Sequence, residues 1–319
     1  MINILANDGI SQAGIDVLKT KGFNIVTEKV AQEDLINSIN SENYEVLLVR
    51  STTTVRKDLI DACPQLKIIG RGGVGMDNID VDYAKEKGLK IINTPAASSA
   101  SVAELVFAHL FGMVRFLFDA NRQMPMEGES DFKGLKKSYS KGRELAGKTL
   151  GIIGFGRIGQ EVAKRAIGLG MKVIAHDKFI DKANITLEFF NGDKKSFTIE
   201  TESLKNVLTN ADFVTLHIPK DGDKAIIGAK EIGMMKTGAG IINASRGGVI
   251  DETALMFALD KEKLAYAGLD VFENEPTPAI HLLMHGAVSL TPHIGAATLE
   301  AQERIGTELA EQIATYFNK

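Results

Sequence analysis

The sequence predicts an α/β protein made of two doubly wound domains, each built on a parallel sheet. Short runs rich in Val, Ile and Leu alternate with amphipathic stretches of about ten to fifteen residues, the pattern of repeated βαβ units. A chain of 319 residues is long enough for two domains of ordinary size. A glycine-rich turn between an apolar run and an amphipathic run, GIIGFGRIGQ, begins only at residue 151. The chain before that turn is therefore predicted to form a domain of its own.

The first domain is predicted to contain five strands before residue 98. Helical patterns QAGIDVLKTKG and TVRKDLIDACP lie between some of these apolar runs. Strands separated by helices form one doubly wound unit. The predicted strands are INILAND (2–8), FNIVTE (23–28), EVLLVRS (45–51), LKIIGRG (66–72) and LKIINTP (89–95).

A hinge is predicted at PAASSAS (95–101), where small side chains precede a long helix. Ser101 and Glu104 have the spacing of a capping box at the start of that helix. A second series of βα units follows. Its predicted strands are KTLGIIGFG (148–156), MKVIAHD (171–177), DFVTLHIP (212–219), AGIINAS (239–245), LAYAGLDV (264–271) and VSLTPH (288–293).

The last segment, 298–317, is predicted to be a helix with an apolar face formed by Ile305, Leu309, Ile313 and either Tyr316 or Phe317. Because HIGAA (293–297) is again small and flexible, we expect the chain to return and this helix to pack on the first domain. A Rossmann domain, 99–293, would then be inserted into a flavodoxin-like domain formed by 1–98 and 294–319. Two consecutive domains joined by ordinary loops are the alternative.

Composition narrows the function classes. With 41 acidic and 37 basic residues the formal net charge is -4, so no overall positive field favours nucleic acid or anionic lipid. The N-terminus lacks a secretory pattern, and the most apolar stretch, 103–118, is interrupted by His109, Gly112 and Arg115. A single cysteine, Cys63, suits a reducing cytoplasm, and the six histidines lack metal-ligand spacing. We expect a cytoplasmic protein with a small-molecule partner and no metal.

The glycine turn has the context of a dinucleotide site because it follows a predicted strand and opens a helix. Gly154 permits the tight turn, Gly156 lets the backbone approach a pyrophosphate, and Gly159 lets the helix pack on the strand. Asp177, eighteen residues after Gly159, would accept hydrogen bonds from an adenosine ribose and favour NAD over NADP; Lys178 weakens that discrimination. A tight turn without a ligand is the alternative. The cofactor-binding candidates of the turn are Gly154, Phe155, Gly156, Arg157, Ile158 and Gly159.

Three polar residues follow predicted strands, where α/β folds place their chemistry. Arg246 lies in INASRGG, Glu275 in GLDVFENEP and His293 in SLTPHIGA. Each alone could be a surface residue or a strand-end cap. Together they match the needs of 2-hydroxy acid oxidation, in which His293 exchanges the hydroxyl proton while a hydride moves to a nicotinamide. Glu275 would orient the imidazole, and Arg246 would bind the substrate carboxylate.

In its ordered motifs the sequence resembles the D-isomer-specific 2-hydroxyacid dehydrogenases. The motifs are GFGRIG, INASRGGVIDE, GLDVFENEP and TPHIGAAT. It is most similar to the phosphoglycerate dehydrogenase branch, through VRSTTTV, IIGRGGVGMDNIDVDYAKEKGLKIINTP and SVAEL. The resemblance extends from about residue 45 to the end. It implies that Arg246, Glu275 and His293 form a catalytic triad and that Asp270 lies near the nicotinamide. The remaining cofactor-binding candidates are Asp177, His217, Pro219, Ala244, Ser245 and Gly295.

The resemblance also implies a substrate site in the first domain. The segment Gly72 to Gly75, with Gly73, Val74 and Gly75, would offer backbone amides to the substrate carboxylate. Arg50 and Arg71, with Ser51, match residues on the phosphate side of the substrate, although either arginine could simply pair with a carboxylate. The basic segment 132–145 adds charge from a neighbouring subunit or forms a solvated surface. Its members are Lys133, Lys136, Lys137, Lys141 and Arg143.

The resulting hypothesis is NAD-dependent oxidation of D-3-phosphoglycerate to 3-phosphohydroxypyruvate, on the route to serine, by a homodimer or higher homo-oligomer. A hydroxypyruvate or glyoxylate reductase with the same triad, and an NAD-sensing corepressor, are the alternatives. The chain departs from the family pattern in lacking the tryptophan usual in the basic segment. A second departure is a predicted hairpin with an Asn-Gly turn at 185–200, after the predicted ribose-binding strand. We also expect no serine-binding regulatory domain.

Overall fold

In the computed structural model, which describes residues 1–220, 222 and 224–318, the strands form two parallel sheets and one hairpin. The elements before residue 98 are β1 Asn3–Ala6, α1 Gln12–Thr20, β2 Asn24–Val26, α2 Leu35–Ser41, β3 Val46–Val49, α3 Lys57–Ala62, β4 Ile68–Arg71, α4 Val81–Glu86 and β5 Lys90–Asn93. Those that follow are α5 Ser99–Val114, α6 Leu117–Glu127, α7 Phe132–Ser138, β6 Thr149–Ile153, α8 Arg157–Gly168, β7 Lys172–His176, β8 Lys182–Glu188, β9 Lys194–Glu200, α9 Leu204–Asn210, β10 Phe213–Leu216, α10 Ala229–Met234, β11 Ala239–Asn243, α11 Glu252–Asp260, β12 Leu264–Leu269, α12 Ile280–Leu283, β13 Val288–Leu290 and α13 Leu299–Tyr316.

The chain divides into two compact units, and the first combines both ends of the sequence. It comprises Met1–Ser101 and Ala296–Lys319, and its sheet has the strand order β2-β1-β3-β4-β5. Every neighbouring pair is parallel, and the order is that of flavodoxin-like folds. All four residues of β3 are buried, as expected for a strand that helices cover on both faces. The five predicted strands are confirmed.

Helix α13 packs against α1 within this first unit. Ile305, Leu309 and Ile313 are buried in the core beside β1. A Cβ atom on Gly14 of α1 would lie 2.7 Å from the carbonyl oxygen of Gly306, so glycine is required for the two helices to approach this closely. Phe317 completes the apolar contact by packing on Phe23, with the ring centroids 5.9 Å apart.

The second unit, Val102–Gly295, has a six-stranded parallel sheet in the order β13-β12-β11-β10-β6-β7. The chain starts at β6, adds β7 on one side, and then crosses back to add β10 and the later strands on the other. This reversal beside β6 is the topological switch point at which Rossmann-type folds bind ligands. The six predicted strands of this series are confirmed.

The predicted hairpin is confirmed and is slightly longer than expected. Strands β8 and β9 pair antiparallel from Lys182 with Glu200 to Glu188 with Lys194, and Gly192 has a positive φ of 86° in the turn. Just after β9, Thr201 forms a single parallel bridge to Ala175 of β7. The residue that follows the hairpin therefore lies beside β7, at the edge of the six-stranded sheet.

The predicted capping box is wrong. Helix α5 begins at Ser99, so Ser101 already lies in its first turn. Glu104 does not serve as a cap because its carboxylate pairs with the Arg165 guanidinium at 2.8 Å. The unit boundaries follow Ser101 and Gly295, three and two residues after the predicted positions 98 and 293.

No single helix in the described part of the chain has the length and apolar character needed to cross a membrane. Helices α5 and α6 would pass that test only as a pair, and they meet at a bend of 53°. The bend coincides with Phe116, whose φ of 54° lies in the left-handed region and interrupts the helical path.

Candidate active site

The glycine turn lies at the switch point of the six-stranded sheet. Gly154 has a φ of 93°, and a Cβ atom on it would lie 2.4 Å from the carbonyl oxygen of His217. A Cβ atom on Gly159 would lie 2.2 Å from the carbonyl oxygen of Gly154, so the helix packs directly on the turn. A Cβ atom on Gly156 would meet no atom within 4 Å. Gly156 precedes α8, and its neighbours Arg157 and Ile158 begin that helix, so open space adjoins a helix N-terminus that attracts anions.

Asp177 connects β7 to the glycine turn. Its Oδ2 atom accepts a hydrogen bond from the Phe155 amide at 2.6 Å. Its Oδ1 atom accepts from the amides of Phe179 and Ile180 at 2.8 and 3.1 Å. A carboxylate oxygen can accept two hydrogen bonds, so Oδ2 retains capacity for one hydroxyl group. The carboxylate is held in place for that contact.

His217 and Pro219 follow β10, on the other side of the switch point. The Nε2 atom of His217 lies 3.0 Å from the Thr215 hydroxyl, and its Nδ1 atom is enclosed without a hydrogen-bond partner among the described residues. Desolvation lowers the pKa of His217 to about 3. The imidazole is therefore neutral near pH 7 and adds no charge beside the glycine turn.

After β11 the chain makes a tight turn that carries Ala244, Ser245 and Arg246. Asn243 is buried and holds this turn, since its Oδ1 accepts from the Ser245 amide and hydroxyl while its Nδ2 donates to the Arg246 carbonyl. The Arg246 guanidinium donates to the Ser245 carbonyl at 2.7 Å. A Cβ atom on Gly247 would lie 1.7 Å from the Phe272 carbonyl oxygen. The Arg246 turn therefore contacts the segment that leads to Glu275.

Two of the three predicted catalytic side chains are in direct contact. The Nδ1 atom of His293 lies 2.8 Å from Oε2 of Glu275, and the other oxygen of that carboxylate accepts from the Phe272 amide at 3.0 Å. A carboxylate only accepts, so Nδ1 carries the proton of the neutral imidazole. Atom Nε2 is then the base that can take a proton from a substrate.

The backbone at His293 is strained. Its φ of 55° lies in the left-handed region, which costs a non-glycine residue roughly 1–2 kcal/mol. Asp270 holds the loop around it, because this buried carboxylate accepts from the Ile294 amide, the Gly295 amide and the Thr291 hydroxyl at 2.8, 2.8 and 2.7 Å. Asp270 is thus directed at the histidine loop.

Sequence reasoning missed the residues that hold the Glu275 segment. The amide of Glu252 donates to the Glu273 carboxylate at 3.0 Å, and the amide of Glu273 donates to the Glu252 carboxylate at 2.7 Å. Burial raises the pKa of Glu252, as does the nearby charge of Glu273, although the hydrogen bond from the Glu273 amide works against this. No sequence pattern indicated this reciprocal pair.

In the first unit the predicted substrate residues lie at the carboxyl ends of β3 and β4. Val49 is opposite Arg71 in the parallel register, so Arg50 comes one position beyond that pair. Asp8 accepts from the Arg50 amide at 2.7 Å and from the Thr53 amide and hydroxyl at 3.1 and 2.8 Å. Asn78 donates to the carbonyls of Arg50 and Thr53 at 2.8 and 2.6 Å. The Arg50–Thr53 loop, which includes Ser51, is therefore fixed on both sides.

The Arg71 guanidinium lies against its own loop. Gly73 has a φ of 145°, and a Cβ atom there would lie 1.8 Å from Nη1 of Arg71, so glycine is required. The Gly73 amide donates to the Arg71 carbonyl at 2.9 Å and is already used. In the part of the chain that the structure describes, the amides of Val74 and Gly75 donate no hydrogen bond. They are the donors of this loop that can bind a carboxylate.

Comparison with known proteins identifies the family. Residues 107–295 match the model of the D-isomer specific 2-hydroxyacid dehydrogenase NAD-binding domain, which is more than half of the chain. The chain belongs to the D-isomer specific 2-hydroxyacid dehydrogenase family. The matched range contains the glycine turn and the Arg246, Glu275 and His293 side chains, so the chemistry-bearing loops of the second unit belong to the NAD-binding domain of this family.

Relatives within the family carry different names. The chain is 43% identical to a hydroxypyruvate reductase of Thermotoga maritima over 311 residues, which cover 96% of this chain and 95% of the relative. It is 42% identical to a D-3-phosphoglycerate dehydrogenase of Methanocaldococcus jannaschii, with 98% of this chain matched. The chain spans 57% of that relative's length. The NAD+-bound 3-phosphoglycerate dehydrogenase of Entamoeba histolytica superposes with a TM-score of 0.77 at 27% identity, covering 100% of this chain and 96% of that one.

The cofactor of this 2-hydroxyacid dehydrogenase is NAD, and the second unit fits it. The open space at Gly156 would accommodate a pyrophosphate at the start of α8, and Asp177 would offer an acceptor to a ribose hydroxyl. A carboxylate at that position disfavours the phosphorylated ribose of NADP by charge repulsion. The predicted cofactor residues follow strands β6, β7, β10, β11, β12 and β13 of one sheet edge.

Proposed function

We propose that this dehydrogenase oxidises D-3-phosphoglycerate to 3-phosphohydroxypyruvate with NAD, on the route to serine. The observation that supports this substrate is the pair of arginines at neighbouring strand ends of the first unit, Arg50 after β3 and Arg71 at the end of β4. A phosphomonoester carries about 1.5 to 2 negative charges at neutral pH. Guanidinium groups bind such an anion through paired donors, and two of them offset its charge.

The proton chemistry of the proposed reaction follows from the His293 and Glu275 contact. When bound, NAD would supply the acceptor for the hydride of the substrate carbon, and its reduced form would supply the hydride in the reverse direction. His293 takes the hydroxyl proton at Nε2, while its Nδ1 proton stays in the hydrogen bond to Glu275. The imidazolium formed in this way is stabilised by the adjacent carboxylate. In reduction the same Nε2 atom returns the proton to the carbonyl oxygen.

Arg246 would bind the carboxylate of the 2-hydroxy acid. Its planar guanidinium offers several donors in a fixed geometry that matches a carboxylate, and its bond to the Ser245 carbonyl orients the group. The amides of Val74 and Gly75 would bind the same class of group. A substrate held by fixed donors keeps its reacting carbon in one orientation, which lowers the entropic part of the barrier.

A second candidate is a hydroxypyruvate or glyoxylate reductase. The observation that favours it is the hydroxypyruvate reductase of Thermotoga maritima, which this chain matches over nearly its whole length. Such a substrate has a carboxylate and a carbonyl and no phosphate. The same triad would process it, and Arg50 and Arg71 would then have no phosphate to bind.

Steady-state kinetics on Arg71→Ala separates the two candidates. For a phosphorylated substrate we expect kcat/KM to fall by about 10- to 100-fold, since a charge-assisted hydrogen bond contributes roughly 1.5–3 kcal/mol. For hydroxypyruvate we expect kcat/KM to stay within about 3-fold, a difference of less than 1 kcal/mol. The control is Arg56→Ala, which removes an arginine of the same unit that lies just before α3, away from the ends of β3 and β4. Equal losses for both substrates, or no loss for the phosphorylated one, would exclude the phosphate assignment.

We also propose that two copies of the chain associate through α6 and its neighbours in the second unit. No residue of α6 is buried, although the helix carries several large apolar side chains. Phe118 and Met126 are 63% and 66% exposed, and Phe132 at the start of α7 is 58% exposed. Exposed apolar groups in one stretch indicate a protein contact. Light scattering of the purified protein tests this association.

A cytoplasmic location is proposed as well, since the single cysteine, Cys63, is a buried free thiol.

A further inference from the structure

His109 is a buried histidine that the proposed chemistry does not use. It lies on α5, is 3% exposed, and contacts β13 and the residue after it through both ring nitrogens. Nδ1 lies 2.8 Å from the Ser289 hydroxyl, and Nε2 lies 3.1 Å from the Thr291 hydroxyl. A Cβ atom on Gly268 of β12 would lie 3.1 Å from Cβ of His109, so a glycine makes room for this side chain.

The hydrogen bonds around His109 have one consistent direction. Thr291 donates its hydroxyl proton to Oδ1 of Asp270 at 2.7 Å, so its oxygen must accept from His109. The Nε2 atom of His109 therefore carries the proton, and Nδ1 accepts from the Ser289 hydroxyl. Burial lowers the pKa of His109, with the Asp270 charge acting in the opposite sense. A neutral imidazole has one donor and one acceptor, which is what these two contacts need.

This series of bonds reaches the loop of the proposed catalytic histidine. Asp270 accepts from Thr291 on one side of His293 and from the amides of Ile294 and Gly295 on the other. His293 therefore lies between two points that one buried carboxylate holds. Because residue 293 is a histidine and not a glycine, contacts with surrounding residues must maintain its positive φ of 55°.

We propose that His109 is a positioning residue for His293 and acts through Thr291 and Asp270. Ser289 donates to Nδ1 and holds the orientation of the His109 ring, the ring donates to Thr291, and Thr291 orients the Asp270 carboxylate toward the loop amides. Loss of His109 removes one of the two hydrogen bonds that hold the Thr291 hydroxyl and loosens the position of Nε2 of His293 relative to the substrate. This inference depends on the proposed role of His293, which is tested separately by His293→Asn.

The test compares His109→Leu with His109→Gln, whose amide offers a donor and an acceptor at similar reach. We expect His109→Leu to lower kcat about 10-fold with KM for NAD within about 2-fold, because small displacements of a reacting group are costly. His109→Gln should recover most of that loss. His281→Leu is the control, since this exposed histidine of α12 undergoes the same exchange outside the network. Unchanged kcat in His109→Leu, or no better activity in His109→Gln than in His109→Leu, would overturn the proposal.

Thr291→Val gives an independent measurement if His109→Leu folds poorly. It removes the hydroxyl in the middle of the series with little change of shape and should lower kcat to a similar degree. Because both changes break one pathway, the double variant should be no worse than the more severe single variant. In a His293→Asn background, His109→Leu should not reduce the residual turnover further. Additive losses, or a further loss in that background, would show that His109 acts by another route.

Discussion

The two units hold their candidate functional residues in different ways. In Val102–Gly295 the hydrogen bonds end on the chemistry-bearing loop and side chains, since Glu275 binds the His293 ring and Asp270 binds the loop around it. In Met1–Ser101 they end on the backbone and the threonine hydroxyls of the Arg50–Thr53 loop, since Asp8 and Asn78 bind its amides and carbonyls and Asp8 also binds the Thr53 hydroxyl. Proton transfer requires that the reacting atom itself be held at a fixed position. A long arginine side chain requires only that the backbone to which it is attached be fixed.

This difference predicts two kinds of mutational effect. Changes to the side-chain contacts of Val102–Gly295 should act mainly on kcat, because they displace or remove the proton-transferring group. Changes to the backbone supports of the Arg50–Thr53 loop should act mainly on KM for the acid substrate, because they weaken ground-state and transition-state binding alike. The variants below are ordered from the largest expected effect to the smallest.

The most severe change is His293→Asn. Asparagine cannot take and return a proton at the position of Nε2, so we expect kcat to fall by about 10²- to 10⁴-fold. Binding of NADH, followed by its fluorescence, should be unchanged within about 2-fold, since the glycine turn and Asp177 are untouched. If His293→Asn retained its turnover, His293 would not be the acid-base group, and the proton-transfer chemistry could not be assigned to Val102–Gly295.

Glu275→Gln should have a smaller effect. Glutamine can still accept the hydrogen bond from Nδ1 of His293, but it lacks the charge that stabilises the imidazolium formed in the proton transfer. We therefore expect kcat to fall about 10-fold in steady-state kinetics. Glu303→Gln is the control, since this carboxylate on α13 is exposed. Unchanged kcat in Glu275→Gln would contradict the pairing.

The strands and the chemistry-bearing residues could be predicted because they leave local patterns. All eleven predicted strands of the two parallel sheets are present, and the Asn-Gly turn of the hairpin lies where the sequence indicated it. Gly159 is required by its contact with the Gly154 carbonyl and Gly154 by its own φ of 93°, both within a single βα turn, which is why their spacing is visible in the sequence. Residues at strand ends, such as His293, meet at one sheet edge because the strands are parallel.

The supporting residues could not be predicted because their partners are distant in the sequence. His109 lies 182 positions from Thr291, and Asp8 lies 42 positions from Arg50. An Asp at the end of a strand or a His on an apolar helix has no local signal for such a contact. The capping-box prediction at Ser101 and Glu104 failed for the same reason, because Arg165, 61 positions away, pairs with the glutamate. A spacing rule considers only residues that are close in the sequence, so it does not anticipate an ion pair with a residue from a distant element.

Asp8→Asn tests the backbone support of the first unit and should have the smallest effect on turnover. Burial favours the neutral form of Asp8, but hydrogen bonds from Thr52, Arg50 and Thr53 outweigh it and lower the pKa of this carboxyl below 3.8. The amide of asparagine would place a donor against the donors of the loop. We expect the free energy of unfolding near pH 7 to fall by about 1–3 kcal/mol, the usual penalty for an unsatisfied buried group. KM for the acid substrate should rise, with kcat within about 3-fold.

The pH dependence of this variant has a definite sign. A carboxyl whose pKa is lower in the folded state contributes stability that is complete well above its unfolded pKa and is lost as pH falls through the folded pKa. The difference in unfolding free energy between the parent protein and Asp8→Asn should therefore be largest near pH 7 and should shrink below about pH 4, as urea unfolding would measure. Asp16→Asn is the matched control, because this exposed carboxylate on α1 accepts only from Gln12 among the contacts of the described residues. A stability difference independent of pH, or a loss confined to kcat, would show that the two units do not hold their functional residues in the different ways inferred above.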